Sequence, residues 1–177
     1  VSVRVEAVND PPVVQLSSGE LTYLERKPAR SLDGGMTITD VDGANMKSAR
    51  VTIEPFDDDS DVLLFDRSAL PDDLPLPSVS KDATNATVGA FDIAGVHPIS
   101  TYIDVLRSFK FKNDGPAIHS TRRIVSFVVT DEDGAVSSAS SRILNILEQN
   151  DPPVANDIKL TTREDIAIEA SSLQAVD

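Results

Sequence analysis

The sequence contains no cysteine and no tryptophan, and aromatic residues make up only 5% of it. Without cysteine the chain has no disulfide, no zinc–thiolate site and no thiol nucleophile. Basic residues are also scarce, because 16 Lys and Arg stand against 29 Asp and Glu, giving a net charge of −13. Nucleic acids and anionic membrane surfaces attract basic rather than acidic proteins, so we expect neither as a partner.

The chain also lacks the short motifs of common enzymes. It has no Gly-x-Ser-x-Gly elbow, no glycine loop for phosphates and no histidine pair at zinc-binding spacing. The two histidines, His97 before a proline and His119 in a loop, are predicted to be plain surface residues. No apolar run is long enough for a transmembrane helix. We therefore expect a protein that is not an enzyme and a segment that does not insert into a membrane.

An internal repeat organises the 177 residues. VRVEAVNDPPVV near the start matches LNILEQNDPPVA near the end, so that Asn-Asp-Pro-Pro-Val occurs at Asn9–Val13 and, 141 residues later, at Asn150–Val154. Further on, Glu25 corresponds to Glu164 and Asp40 to Asp177. We interpret residues 1–10 as the last strand of one repeat, 11–151 as a complete repeat and 152–177 as the start of the next. The paired prolines predict a short, stiff joint.

Within the complete repeat, most segments read as strands because they alternate or are rich in Val, Ile, Thr and Phe. The predicted strands are Met36–Thr39, Ala49–Glu54, Val62–Phe65, Ala86–Ile93, Ile124–Thr130 and Ser140–Leu147. Thr101–Phe109 is the exception, since its apolar residues recur at helical spacing. The proline-rich segment Pro71–Lys81 is predicted to be an irregular surface loop. Together these elements predict an all-β fold, an immunoglobulin-like two-sheet sandwich with one short helix.

Acidic residues concentrate in turns. Thr39–Asn45 contains Asp40-Val41-Asp42-Gly43, Thr130–Gly134 follows a strand, and the joints carry Asn-Asp. Such turns supply several oxygens from a short stretch, as hard cations such as Ca²⁺ require. The same residues are also ordinary turn formers that need no metal. The run Asp57–Asp61 is predicted to be a solvated acidic loop, and Arg123 is predicted to pair with a carboxylate at the edge of the core.

The order of these features resembles the cadherin and cadherin-like repeat superfamily. The family's early Glu, Asp-x-Asp, late Asp and Asn-Asp linker are matched by Glu25, Asp40 and Asp42, Asp131, and Asn150-Asp151. The long cadherin-like repeats of giant surface adhesins in bacteria and protists are more similar still. Their pattern is matched by VLRSF and FKN (Val105–Asn113) and by RIVSFVVTD (Arg123–Asp131).

The resemblance implies Ca²⁺ at the joints between repeats. Ions at the first joint would be held by Asn9, Asp10, Asp40, Asp42 and Asp131. Ions at the second joint would be held by Glu25, Asn150 and Asp151, with Asp177 from the following repeat. Ala7 and Glu148 stand where the family has its first linker Asp, so we expect one or two ions per joint.

These features lead to an expected function. We expect an extracellular, cell-surface structural or adhesive repeat of a large protein, with joints rigidified by Ca²⁺. Its partners would be the neighbouring repeats of the chain and other surface proteins. The alternative is a building block of an extracellular filament or appendage held by packing between subunits. Asn85-Ala86-Thr87 is an N-glycosylation sequon, typical of such a glycoprotein.

Overall fold

The structure is a computed structural model that describes residues 2–4, 6, 8–57, 59–82, 85–115 and 120–150. For residues 78–82 and 85–87 it describes the backbone alone. The described residues contain eleven strands, one α-helix and one short 3₁₀ helix, Arg67–Ala69. The strands are β1 (Val13–Gln15), β2 (Leu21–Leu24), β3 (Arg30–Ser31), β4 (Thr37–Thr39), β5 (Asn45–Glu54), β6 (Asp61–Leu64), β7 (Ser78–Asp82), β8 (Asn85–Pro98), β9 (Lys110–Asn113), β10 (Arg122–Asp131) and β11 (Ser140–Leu147), and the helix is α1 (Ile99–Arg107).

The strands form three sheets around one core. The largest sheet has the order β2-β11-β10-β5-β8-β7, and the smaller sheets are β3-β9-β6 and β1-β4. All strand pairs are antiparallel except β11 with β2, which run parallel from Leu144 beside Leu21 to Leu147 beside Leu24. All three sheets contribute buried apolar side chains to one core cluster. The all-β sandwich predicted from the sequence is therefore confirmed.

The alternation of side chains explains how the sheets face each other. In β10, Val125, Phe127 and Val129 are buried, while the residues between them are more exposed, because successive side chains of a strand point to opposite faces. The ring of Tyr23 in β2 meets that of Phe111 in β9 edge to face, with 5.3 Å between centroids. This contact joins the six-stranded sheet to the three-stranded one across the core.

The short helix covers the core between β8 and β9. Tyr102, Val105 and Leu106 of α1 are buried at helical spacing, and Phe109 just beyond the helix is buried as well. The Tyr102 hydroxyl donates a hydrogen bond to the Gly95 carbonyl at 2.6 Å, and burial raises the pKa of Tyr102 to about 12. The predicted helix is thus confirmed, beginning two residues earlier than expected. With nine residues, the helix is far too short to cross a bilayer, and the described residues contain no candidate membrane span.

The register places the first and the last strand at opposite ends of the sandwich. Asp131 pairs with Met46 at one end of the β5–β10 ladder, and Ile124 pairs with Glu54 at the other. Val13 pairs with Thr39 at the first of these ends, which we call the N-terminal end. Leu147 lies at the other, the C-terminal end. A ten-residue strand is about 33 Å long, so the two ends are separated by roughly that distance.

Most predicted strands are confirmed with shifted boundaries, and β11 is matched residue for residue. The predicted irregular loop Pro71–Lys81 is wrong in its last part, because Ser78–Asp82 forms β7 and pairs with β8 at the edge of the large sheet. The prolines end at Pro77, so the backbone donors that a strand needs are present from Ser78 onward. The described residues among 1–10 belong to no strand, and their assignment to a preceding repeat stays a prediction.

The prediction of a solvated loop at Asp57–Asp61 is wrong for Asp61, which is buried. Its carboxylate accepts hydrogen bonds from Arg123 Nε at 2.7 Å and from Asn113 Nδ2 at 2.8 Å. Arg123 is also fully buried and donates from Nη1 to the Ser120 carbonyl at 2.6 Å. The expected pairing of Arg123 with a carboxylate is therefore confirmed, and the pair lies inside the C-terminal end.

Candidate functional site

The predicted ligands of the first joint come together at the N-terminal end. We call Asn9, Asp10, Asp40, Asp42 and Asp131 the joint cluster. Asp40 and Asp42 lie in the turn between β4 and β5, and Asp131 is the last residue of β10. Because β4, β5 and β10 meet at this end, the two turns stand beside the segment that leads into β1.

Asp40 shapes the first turn. Its Oδ1 accepts the backbone N–H groups of Asp42 at 2.9 Å and Gly43 at 3.1 Å, which is the usual way in which Asp closes a turn. Its other oxygen, Oδ2, is buried and has no hydrogen-bond partner in the structure. A buried acceptor without a donor is costly, so Asp40 Oδ2 is the atom of the cluster that most needs a ligand.

Asp131 closes the second turn and is itself buried. Its Oδ1 accepts the N–H groups of Gly134 at 2.5 Å and Ala135 at 2.8 Å, and its Oδ2 accepts Asn9 Nδ2 at 2.8 Å. Burial is the largest single influence on the pKa of Asp131 and acts to raise it. The hydrogen bonds from Asn9, Gly134 and Ala135, with the charge of Lys47, outweigh burial, so the pKa lies below its usual value.

Two hydrogen bonds fasten the linker to these turns. Asn9 donates to Asp131 across 122 positions of sequence, and the backbone N–H of Asp10 donates to Asp42 Oδ2 at 2.6 Å. Asn9 and Asp10 are therefore each held by a different turn of the sandwich. The structure thus pairs Asn9 with Asp131 and Asp10 with Asp42, and the assignment of these residues to a metal-binding joint stays a prediction.

Sequence reasoning missed two residues of the same end. Asn45 Nδ2 donates to Glu132 Oε2 at 2.9 Å, and the N–H of Glu132 donates to the Asn45 carbonyl, so that the two turns are joined directly. Both residues lie inside the acidic turn motifs, and that position was the available signal. Lys47 contributes a positive charge near Asp131 that no sequence motif indicated.

At the C-terminal end, Glu25 and Asn150 are the described members of the second predicted site, and Glu25 makes a hydrogen bond to the chain as it leaves the sandwich. Glu25 is buried, its N–H donates to the Leu147 carbonyl at 3.1 Å, and its Oε1 accepts the N–H of Gln149 at 2.9 Å. Arg26 Nη2 lies 3.9 Å from the same oxygen. Glu25 thus holds the chain where it leaves the sandwich, immediately before the exposed Asn150.

Several predicted residues lie outside the described residues. They are Asp151, Asp177, His119 and the side chain of Asn85. His97 is described, and the prediction of a plain surface residue is wrong. Its side chain is only 12% exposed and stands 3.7 Å from Asp73, because the loop before β7 folds over it.

The described residues include no group of three or more His, Cys, Asp or Glu side chains that could hold a metal ion. Within the joint cluster, N–H donors occupy one oxygen each of Asp40 and Asp42 and both oxygens of Asp131. The donor chemistry nevertheless suits a hard cation, since the cluster offers carboxylate and amide oxygens only, with Asp40 Oδ2 left unsatisfied. An ion there would compete with the N–H groups of Asn9 and Asp10.

Comparison with known proteins reveals only remote likeness. No protein-family model matches the chain, and no curated protein matches it. Among solved structures, a cohesin module from a Clostridium perfringens ATCC13124 family 33 glycoside hydrolase has a TM-score of 0.41 at 12% identity. The match covers 81% of this chain and 100% of the cohesin module. The SrpA adhesin from Streptococcus sanguinis has a TM-score of 0.41 at 16% identity, covering 90% of this chain and 69% of the adhesin chain. Likeness at this level carries no inference about activity.

Proposed function

We propose that this chain is part of a non-catalytic, extracellular surface protein in which β-sandwich repeats follow one another as a rod. The observation that carries the proposal is the attachment of the linker. Asn9 and Asp10 are each hydrogen-bonded to a turn of the complete repeat, so the approaching chain has little freedom of direction. Such attachment suits a structural or adhesive role at the cell surface, where a stiff rod holds a binding domain away from the cell.

The positions of the two joints support a linear arrangement. The chain enters at the N-terminal end and leaves about 33 Å away at the C-terminal end, where Glu25 holds Gln149. Repeats of this kind can follow each other head to tail without turning back. The repeated Asn-Asp-Pro-Pro-Val segment indicates that both joints are built in the same way.

We further propose that Ca²⁺ binds at the joint cluster and stiffens it. Asp40, Asp42 and Asp131 belong to the sandwich, while Asn9 and Asp10 belong to the linker, so an ion shared between them would tie one to the other. It would also offset the like charges of Asp40 and Asp42, which share one turn, and satisfy Asp40 Oδ2. Extracellular modules of this type bind calcium with Kd values of about 0.1–1 mM.

The test is calorimetric titration of the chain with CaCl₂, compared with the variant Asp40→Ala/Asp42→Ala. We expect binding in the millimolar range for the chain and its loss in the variant. The matched control is Asp59→Ala/Asp72→Ala, which removes the same charge from exposed carboxylates elsewhere and should bind as the unaltered chain does. Absence of heat at several millimolar calcium would contradict the calcium proposal. Equal binding by all three proteins would show that calcium binds somewhere other than this cluster.

Small-angle scattering then tests the rod. We expect a protein of two consecutive repeats to have a shorter mean length and a broader distribution of distances in EDTA than in calcium. Ion binding only to the ordered joint would add about 1.4 kcal/mol of stability at tenfold Kd. Identical scattering and identical melting in both conditions would show that the acidic turns are only turns.

A further inference from the structure

The hydrogen bonds that hold the linker at the two ends of the sandwich involve residues that are adjacent in the repeated sequence. At the C-terminal end, Gln149 is held by Glu25 of the complete repeat. At the N-terminal end, Asn9 is held by Asp131 of the repeat that it precedes. The internal repeat makes Asn9 the counterpart of Asn150, the residue directly after Gln149. Two adjacent residues of each joint would therefore be fastened to two different sandwiches.

This coincidence limits the gap between sandwiches. Consecutive Cα atoms are only 3.8 Å apart, so residues bound to opposite sides of a joint leave no free linker between them. A flexible linker of even four residues would allow roughly 10 Å of separation. With none, the C-terminal end of one sandwich and the N-terminal end of the next must come into contact.

Both ends carry exposed apolar side chains at the point of contact. Val41 is 82% exposed at the tip of the turn that holds Asp10. Leu24 and Leu147 are neighbours in the β2–β11 register, partly exposed, and flank Glu25 where the chain leaves. A groove of about 460 Å³ lined by Thr121, Asn145 and Leu147 opens beside them, and its lining continues to Ile146 and Glu148.

We propose that consecutive repeats abut directly. The end surface that contains Leu24 and Leu147 would be covered by the next repeat of this fold, which would contribute the turn equivalent to Asp40–Asn45. The inference rests on the proposed tandem arrangement but requires no metal. The two joints differ just before Asn-Asp, where Glu6, Ala7 and Val8 are the counterparts of Leu147, Glu148 and Gln149.

The absence of cysteine allows a direct test by thiol labelling. In a tandem protein, residues 9–150 follow Gln149, and a single cysteine replaces Val41 of the second repeat or Leu147 of the first. We expect each thiol to react with a maleimide at least roughly tenfold more slowly in the tandem than in the 177-residue chain, because solvent reaches it only when the joint opens. Leu64→Cys, on β6 and away from both ends, should react equally fast in both proteins.

A second tandem protein carries Gly-Ser-Gly-Ser after Gln149, which keeps both hydrogen-bonded contacts but separates the sandwiches. Slow labelling in the direct tandem and fast labelling in the lengthened one, both in EDTA, is the expected result. If the thiols of the direct and the lengthened tandem react equally fast in EDTA, the inference is overturned, even if added calcium then slows the reaction. Slow labelling in EDTA, with no calcium binding in the titration above, would overturn the calcium proposal and leave direct contact standing. Circular dichroism of each variant confirms that it is folded.

Discussion

Replacing Arg123 with methionine tests whether the C-terminal end depends on its buried ion pair. Arg123 and Asp61 are almost completely inaccessible to solvent, with 2.7 Å between Arg123 Nε and Asp61 Oδ2. Methionine keeps most of the side-chain volume and removes the charge. Asp61 would keep its hydrogen bonds from Asn113 Nδ2 and from the N–H of Asp57, but it would lose its only charged partner in the network.

The expected loss is large. Removing one partner of a buried pair typically costs 3–5 kcal/mol, because the other charge stays buried without compensation. Since Asp61 keeps two donors, we expect the free energy of unfolding to fall by about 3 kcal/mol. For a domain of this size that lowers the melting temperature by roughly 10 °C.

Urea unfolding followed by circular dichroism measures the effect at constant m-value. The variants are Arg123→Met, Asp61→Asn and the two together. We expect the double variant to be more stable than the sum of the single losses predicts, by about 2 kcal/mol, since neither group is then left charged and alone. Arg123→Lys keeps the positive charge, so its free energy of unfolding should fall by less than that of Arg123→Met. A loss below about 1 kcal/mol for Arg123→Met, or strict additivity, would refute the reasoning.

Two further predictions concern the joints. Glu25→Gln should speed hydrogen exchange at the Gln149 amide, because a neutral acceptor holds the N–H less strongly, and unchanged exchange would contradict the role of Glu25 as a clamp. Asp131 has a lowered pKa in the folded state, so its contribution to stability is present above its unfolded pKa near 4 and is lost as pH falls through the folded value. The protection of the Gly134 amide against exchange, relative to its intrinsic rate at each pH, should therefore fall in acid, and Asp131→Asn should abolish that dependence.

The sequence predicted those elements whose pattern is local. β10 alternates over its whole length and β11 over its second half, and the helix shows its period through Tyr102, Val105 and Leu106. Residues at the N-terminal end were predicted because the internal repeat singled out Asn9 and Asp10. Periodicity, turn chemistry and repetition can be read from the sequence alone, and at these elements the tertiary contacts favour the same local structure.

Elements that depend on distant partners were not predictable. β1 and β3 have three and two residues, too few for an alternation to show, and they exist because β4 and β9 pair with them. Asp61 lies at the end of an acidic run, and only its contact with Arg123, 62 positions away, reveals that it is buried. The same holds for Asn45 and Glu132, which meet across 87 positions.

The parallel pairing of β11 with β2 has a mechanical consequence. Tension along a rod of such repeats would enter through β1 and leave through β11, nearly along the strand axes. Hydrogen bonds of a sheet lie across its strands, so the ladders of β11 with β2 and β10 would be loaded in shear. Bonds sheared together must break together, whereas a hairpin pulled from its open end unzips one bond at a time. The last strand of the sandwich is therefore placed where a pulling force meets two ladders of bonds at once.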